Sequence, residues 1–338
     1  MKFGLRIPSF ASGPGTASLA EMGRYLRHAE DLGFESALTI DHLLLARPAY
    51  SCTWLEPIAT LAALAGLTRS IKLGTMVLVL PFRNPAYFAK EWATLDVLSG
   101  GRTILGIGVG WHEKEFELMG VPRGERGRRM DEMIESLTAL WQGGEVTYRG
   151  RYYRFDGVTI DPKPVQRPRP PIWIGGGTQP SEKVYGQSVP SVAPVLRRIA
   201  KYADCWIPHS SATPQMVQSD WHRIRSFAEQ QGRNPATIGR VYSNFVWVLK
   251  PGERPDSATP HFSTFSGMDL DYWQRYYLLG TAEQIAEHIA ARIAVLEGGV
   301  DHIILNPLDW SREQLELIAH EVLPRVTPPC CRSQDLEH

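Results

Sequence analysis

Strand-like and helix-like segments alternate along the whole chain, and this alternation restricts the fold more than any other feature of the sequence. Eight short runs rich in Ile, Val and Leu are each followed by a longer run with helical spacing. Strands that are apolar throughout are typical of a parallel sheet covered on both faces. We predict strands at residues 3–7, 37–40, 71–80, 103–109, 171–174, 204–207, 241–249 and 302–305, and helices at 19–32, 55–66, 85–98, 125–141, 192–202, 213–231, 282–297 and 312–323.

Eight strand–helix pairs predict an α/β fold of the TIM-barrel class, a (β/α)8 barrel. We place the remaining residues in a hairpin insertion at 146–160, after the fourth helix, and in long loops at 178–190 and 251–280, after strands 5 and 7. Both loops follow strand carboxyl ends, where barrel enzymes have their active sites. We expect a single domain over residues 1–325 and a flexible tail over 326–338 that ends in a tag remnant.

Composition and charge exclude several classes of function. The chain has 36 basic and 36 acidic residues, and no stretch combines clustered Lys and Arg with aromatic residues, so we expect no nucleic-acid partner. No apolar run reaches the roughly 18 residues of a membrane span, and the amino terminus enters a strand without a signal peptide. We therefore expect a cytoplasmic protein without a membrane partner. The four cysteines lack metal-ligand spacing, and we expect no metal: Cys52, Cys205, Cys330 and Cys331.

Glycine occupies alternate positions at the end of the fourth predicted strand. Gly106, Gly108 and Gly110 share one face of that strand, because side chains alternate with period 2. Glycines on one face indicate that another group approaches the backbone closely. A flat ligand at the barrel mouth explains the pattern, and so does a barrel corner or tight helix packing. The third glycine comes one residue too early for a dinucleotide fingerprint, so a Rossmann fold is not favoured.

Polar and aromatic residues follow two of the predicted strands. Asp41 and His42 end the second strand, and a histidine there suits general acid–base chemistry near neutral pH. The alternative is a turn-capping aspartate beside a surface histidine. Trp111 and His112 stand at the mouth of the fourth strand, where they could line a substrate pocket or simply pack over the barrel end.

A run of three glycines, Gly175, Gly176 and Gly177, follows the fifth predicted strand. Consecutive N–H groups at this position could bind a phosphate, together with the start of the next helix. A flexible turn into the long loop explains the run equally well.

Six segments together resemble the bacterial luciferase-like superfamily of flavin and deazaflavin oxidoreductases, and in detail its subgroup that uses the deazaflavin coenzyme F420. Each segment alone is weak, but their order and spacing over about residues 1–325 are specific. The segments are DH at 41–42, LGTMVL at 73–78 with NP at 84–85, LDVLSGGR at 95–102, GIGVGW at 106–111, PKPVQRPRPPIWIGG at 162–176 and RRIAKYAD at 197–204.

The resemblance implies where a cofactor would bind. The ring would lie across the barrel mouth near strands 2 to 4, with a non-proline cis peptide behind it at Met76–Val77. His42 matches the histidine beside the reactive ring carbon of deazaflavin members. The implied ring contacts are Asp41, Met76, Val77, Gly108, Val109 and Gly110, and the implied phosphate contacts are Gly175, Gly176, Gly177, Val192 and Ala193.

The resemblance also implies a reaction, namely hydride transfer between F420 and a small organic substrate, with His42 as the proton donor. Trp111 stands where sugar-phosphate dehydrogenases of this superfamily carry an acidic glutamate, which favours an apolar substrate. One alternative is an FMN-dependent monooxygenase that takes reduced flavin from a separate reductase and reacts with O2. Another is a catalytically silent flavin-binding homologue. We expect a homodimer in each case.

Overall fold

The computed structural model describes residues 1–8, 11–12, 15–45, 47, 50–180 and 191–326, and its centre is a closed barrel of eight parallel strands. Each strand pairs with its neighbours in chain order, and strand 1 pairs with strand 8 to close the sheet. The predicted (β/α)8 barrel is therefore confirmed. Strands 1 to 8 are Lys2–Arg6, Ser36–Thr39, Lys72–Thr75 (resuming at Leu78–Val79), Thr103–Gly108, Ile172–Gly175, Cys205–Ile207, Gly239–Val248 and His302–Pro307.

Eight helical segments surround the sheet, and their ends lie close to those predicted. Capping explains several starts: the Ser18 side chain accepts from Glu21 N in a capping box, and Asn84 caps a helix that begins with proline. The helices are Leu19–Asp31, Pro57–Ala65, Pro85–Leu98, Arg126–Gln142, Ala193–Tyr202, Pro214–Gln230, Ala282–Ile293 and Arg312–Leu317, the last continuing through a π-turn, Ile318–Val322, into Leu323–Val326.

The structure describes two of the predicted insertions, the hairpin after the fourth helix and the segment after strand 7. The hairpin after the fourth helix is confirmed, with Val146–Arg149 antiparallel to Arg154–Val158. The insertion at 251–280 after strand 7 is confirmed, but the expectation that it is a loop is wrong for much of its length. That segment contains the helices Thr259–Phe265 and Leu270–Tyr276 and a short strand, Leu278–Gly280, that pairs with the end of strand 7.

The segment at 251–280 is ordered by aromatic burial. Phe262, Phe265 and Trp273 are almost completely buried, and they pack with Phe245 of strand 7 in one apolar cluster. Residues 181–190 of the other predicted loop, and 327–338 of the predicted tail, lie outside the described part of the chain.

Strand 3 was predicted to run unbroken over 71–80, and it does not. Gly74 pairs with Ile104 and Leu78 pairs with Ile107, so strand 3 advances four positions while strand 4 advances three. The extra residue forms a bulge, and the peptide bond between Met76 and Val77 within it is cis, as the resemblance implied.

The strand 4 glycines make room for this bulge. A Cβ on Gly106 would lie 1.9 Å from the Thr75 carbonyl oxygen, and one on Gly108 would lie 2.6 Å from Val77 Cγ2. Gly175 of strand 5 faces the same Val77 side chain, since a Cβ there would lie 2.8 Å from Val77 Cγ1. The glycine pattern therefore does indicate a close approach, and one approaching group is the neighbouring strand 3. The approach of a flat ligand to the same glycines stays a prediction.

Candidate active site

A cavity opens at the carboxyl ends of the barrel strands and is continuous with solvent. The centres of water molecules can occupy about 250 Å³ of it. Most of the candidate site residues converge here although they come from four different strands. Those that line the cavity are Asp41, His42, Met76, Val77, Gly108, Val109, Gly110, Trp111, Gly175 and Gly176.

Four candidates do not line the cavity: His112, Gly177, Val192 and Ala193. His112 precedes the short helix Glu113–Leu118, and its ring packs against that of Trp111 with centroids 5.3 Å apart. Val192 and Ala193 form the start of the helix Ala193–Tyr202. Contacts of Gly177, Val192 and Ala193 with a phosphate stay predictions.

The glycine run does not present three consecutive unused N–H groups. The Gly176 N–H donates to the Ile207 carbonyl at 3.1 Å, which extends the ladder between strands 5 and 6. Two residues later, the Thr178 N–H donates to Asp220 Oδ2 at 2.5 Å. Any phosphate contact at this strand end must therefore use other donors than the Gly176 amide.

His42 is held against a buried carboxylate, Glu115. The His42 side chain is 8% exposed, and its Nδ1 lies 3.4 Å from Glu115 Oε1. The same oxygen accepts from the backbone amides of Leu43, at 2.9 Å, and Leu44, at 3.0 Å. Glu115 thus fixes the chain that follows strand 2 and orients the imidazole at its start.

The environment of Glu115 keeps it ionised. Burial opposes its ionisation, but the hydrogen bonds from His42 and from the Leu44 and Leu43 amides outweigh that effect, so the pKa of Glu115 lies below its ordinary value. A carboxylate at Nδ1 favours the tautomer that carries its proton on that nitrogen. His42 Nε2 is then the atom that can accept or donate a proton on the other side of the ring.

The Asp41 carboxylate already accepts hydrogen bonds from other residues of the protein. Its Oδ2 accepts from Val79 N at 2.9 Å and from Arg83 Nη1 at 2.7 Å. Burial raises the pKa of Asp41, although the charge of Arg83 and the Val79 amide counteract the rise. Asp41 therefore ties the end of strand 2 to the segment after the bulge, and direct contact with a cofactor stays a prediction.

Aromatic side chains close the cavity around His42. The Tyr50 ring centroid lies 4.9 Å from that of His42, and the Trp111 centroid lies 5.9 Å from it. Tyr50 packs in turn on Phe265, at 5.4 Å, within the inserted helices. These rings limit the access of water to the imidazole.

The sequence interpretation missed several lining residues. Glu115 lies in a charged segment that is typical of a helix surface, and no local signal marks it as buried. His209 follows strand 6 and is half-buried, and desolvation lowers its pKa to about 4, so it is neutral at pH 7. Arg6 and Asn306 end strands 1 and 8, where a polar residue after an apolar run was an available signal.

Nothing in the described part of the chain suggests a metal centre, since no group of three or more His, Cys, Asp or Glu side chains is arranged to hold an ion. Cys52 and Cys205 are buried; the other two cysteines lie outside the described residues. Across the described ranges, no helix is long and apolar enough to cross a membrane.

The fold and this site agree with the family comparison. The model of the luciferase-like monooxygenase family matches residues 1–266, and the chain belongs to that family. The FMNH(2)-dependent dimethylsulfone monooxygenase of Pseudomonas fluorescens (strain Pf0-1) is 30% identical over 332 residues, covering 88% of this chain and 84% of the relative. The Pseudomonas putida enzyme of the same name is 28% identical, with 88% and 85% covered.

Solved structures show the same fold. An F420-dependent secondary alcohol dehydrogenase in complex with an F420–acetone adduct superposes with a TM-score of 0.76, at 19% identity over 97% of this chain and 99% of that one. The monooxygenase RslO1 from Streptomyces bottropensis gives a TM-score of 0.74, at 25% identity over 97% of this chain and 100% of its own. The protein is thus an oxidoreductase or monooxygenase of the luciferase-like family.

Proposed function

We propose that this protein is the oxygenase component of a two-component system, which takes reduced FMN from a separate reductase and uses O2 to oxidise a small organic substrate. The observation that carries the choice of cofactor is the similarity, over 88% of the chain, to two FMNH(2)-dependent monooxygenases. This proposal reverses the order of the two cofactors that the sequence motifs favoured.

The cavity fits a flat ring with one apolar face. On the wall formed by strands 3 to 5, the lining consists of Met76, Val77 and the backbone of the glycine-rich strand ends, and it carries no carboxylate. The two carboxylates at the mouth, Asp41 and Glu115, are each held by internal donors. When bound there, the reduced cofactor would supply the electrons for the reaction with O2.

The protein's own residues supply position and a proton. Glu115 holds His42 at Nδ1, so His42 Nε2 can deliver a proton to the reacting molecule and take one back. Tyr50 and Trp111 pack around the imidazole and keep bulk water away from it.

F420-dependent hydride transfer is the second candidate. The His42–Glu115 pair favours it, because adding hydride to a carbonyl or unsaturated carbon requires a proton at the neighbouring atom. The lining described above fits either ring. The two candidates differ in their reaction with O2, since a deazaflavin does not react readily with oxygen.

A side-by-side titration separates the two candidates. We expect reduced FMN to bind at least about tenfold more tightly than reduced F420, a difference of about 1.4 kcal/mol, and bound reduced FMN to consume O2. Fluorescence titration under anaerobic conditions and an oxygen electrode give the two measurements. Tighter binding of F420, without oxygen uptake in the presence of FMN, would reverse the proposal.

Replacing Glu115 with glutamine tests its action through His42. The amide oxygen can still accept from Leu43 and Leu44, so the fold should be retained, but the imidazole loses the carboxylate that orients it at Nδ1. We expect kcat to fall about tenfold while cofactor affinity changes by less than about threefold. Steady-state kinetics and cofactor titration check this, with Glu113→Gln in the same short helix as the matched control. An unchanged kcat would leave Glu115 with a structural role only.

A further inference from the structure

Arg6 is a buried positive charge on the wall of the cavity. It ends strand 1, and only 6% of its surface is exposed. Within the described ranges no carboxylate oxygen lies within 4 Å of its guanidinium group, whereas other buried arginines, such as Arg198, have one. Since buried charges are normally paired, an arginine facing a cavity without a counter-charge indicates that a ligand supplies it.

The groups around Arg6 are aromatic and uncharged. Its guanidinium carbon lies 4.2 Å from the ring centroid of Phe245 and 5.8 Å from those of Trp54 and Phe265. The guanidinium donates a hydrogen bond to the Tyr50 hydroxyl, and Cys52 and Tyr277 also lie near it. Burial raises the pKa of Tyr50, so this hydroxyl keeps its proton and does not neutralise Arg6. The rings hold the guanidinium by cation–π contact without neutralising it.

Asn306 lies beside Arg6, and its side-chain amide is unsatisfied. Leu5 pairs with Leu305 across strands 1 and 8, so the next residues of these strands, Arg6 and Asn306, are neighbours at the cavity wall. Asn306 is 1% exposed, and neither its Oδ1 nor its Nδ2 has a hydrogen-bond partner among the described residues. An amide that is buried with both ends unsatisfied is unusual, and it indicates a missing polar partner.

We propose that Arg6 and Asn306 bind the oxyanion group, a carboxylate or a sulfonate, of an organic acid substrate. The inference rests on the proposed oxygenase function, and it names the substrate class for the same cavity. A guanidinium presents forked N–H donors that match the oxygens of such a group, and Asn306 Nδ2 adds another donor.

The topology places this anion site away from the wall assigned to the ring. In an eight-stranded barrel, strand 8 lies directly across from strand 4, so an acid group bound at Arg6 would leave the organic part of the substrate in the centre of the cavity. The cavity lining between the two walls includes aromatic and apolar side chains such as Tyr50 and Ile207, which suit the body of the molecule. The expected apolar substrate thus becomes a molecule with an apolar body and an acidic end.

The test compares acids with neutral analogues. We would titrate the full-length protein, with and without FMN, with acetate, benzoate, methanesulfonate and benzenesulfonate, and with benzamide and dimethyl sulfone as uncharged controls, by calorimetry and thermal shift. At least one acid should bind about tenfold or more tightly than its neutral analogue. Arg6→Met should weaken that binding about 10²-fold, and Asn306→Leu should weaken it less.

Matched variants show whether weaker binding of the acids comes from the lost charge at Arg6 or from a loss of folded protein. Arg6→Met should fold and melt no lower than the parent, because it removes an unpaired buried charge. Arg6→Lys keeps the positive charge but lacks the forked N–H donors of the guanidinium, so its affinity for the acids should lie between those of the parent and Arg6→Met. Arg149→Met removes a charge from the hairpin, where the side chain is 74% exposed, and should bind the acids unchanged. FMN affinity should stay within about threefold in all four variants, including Asn306→Leu.

Several results would overturn the inference. They are binding of the neutral analogues as tightly as the acids, absence of binding by every acid in the panel, and an equal loss of FMN affinity in Arg6→Met, which would make Arg6 a cofactor contact. Binding of the acids through Arg6 by a protein that binds neither FMN nor F420 would uphold the anion site and refute the proposed function.

Discussion

Replacing His42 with alanine is expected to lower turnover about 10²–10⁴-fold, while cofactor affinity changes by less than about threefold. The imidazole lines the cavity, Glu115 holds its Nδ1, and aromatic rings surround it, so no solvent molecule takes its place in the same position. The predicted loss corresponds to about 3–5 kcal/mol of transition-state stabilisation. Single-turnover rates and cofactor titrations on the same preparations measure the two quantities.

Two further variants test whether the loss of turnover comes from the titratable imidazole of His42. His42→Asn keeps a hydrogen-bonding side chain that cannot titrate, so it should lose nearly as much activity as His42→Ala. His112→Ala is the matched control, because His112 is close in the fold but does not line the cavity, and it should keep near-native turnover. If both His42 variants remain active, the imidazole is only a wall of the pocket, and His209, neutral at pH 7, does not replace it as the acid.

The barrel was predictable because its signals are local. Runs of apolar residues predicted strands, helical spacing and caps such as Asn84-Pro85 predicted helices, and eight repeats of the pair define the fold class. The segment at 251–280 was not predictable in this way. Its helices are only seven residues each, and their formation depends on burying Phe262 and Trp273 against strand 7.

The candidate site was predictable only in part. The resemblance predicted that His42 and the bulge at Met76–Val77 lie in the same site, and both line the cavity. Glu115 lies 73 residues from His42 in the chain, and the pairing depends on how the short helix after strand 4 folds back over the mouth. The contacts of Arg6 and Asn306 become visible only when strand 1 pairs with strand 8, although the closure of the barrel itself implies that their strands are neighbours.

The glycine pattern predicted a close approach to strand 4 without showing which group approaches. Alternate glycines in strand 4 do mean a close approach, but a single sequence does not show that strand 3 carries an extra residue. The bulge pushes Thr75 and Val77 against strand 4, and only glycines at 106 and 108 accommodate them. The flat surface offered to a ligand is therefore built by two strands together.

Replacing Gly106 with alanine should lower the free energy of unfolding by roughly 3 kcal/mol or more. The new Cβ would lie 1.9 Å from the Thr75 carbonyl oxygen, and a backbone atom cannot turn away as a side chain can. Thr75 Oγ1 also donates to the Gly106 carbonyl at 2.6 Å, so a displaced strand 3 would lose that hydrogen bond as well. Urea denaturation followed by circular dichroism measures the change.

Gly124→Ala is the matched control, because Gly124 is exposed and a Cβ there would meet nothing within 4 Å. Its stability should stay within about 0.5–1 kcal/mol of the parent, since the substitution changes only the conformational freedom of the chain. In the Gly106 variant, any folded fraction should bind FMN more weakly, because the bulge that carries Val77 must move away from strand 4. Equal stability of the two variants would mean that strand 3 shifts at little cost, and the glycines would then not be what fixes the bulge.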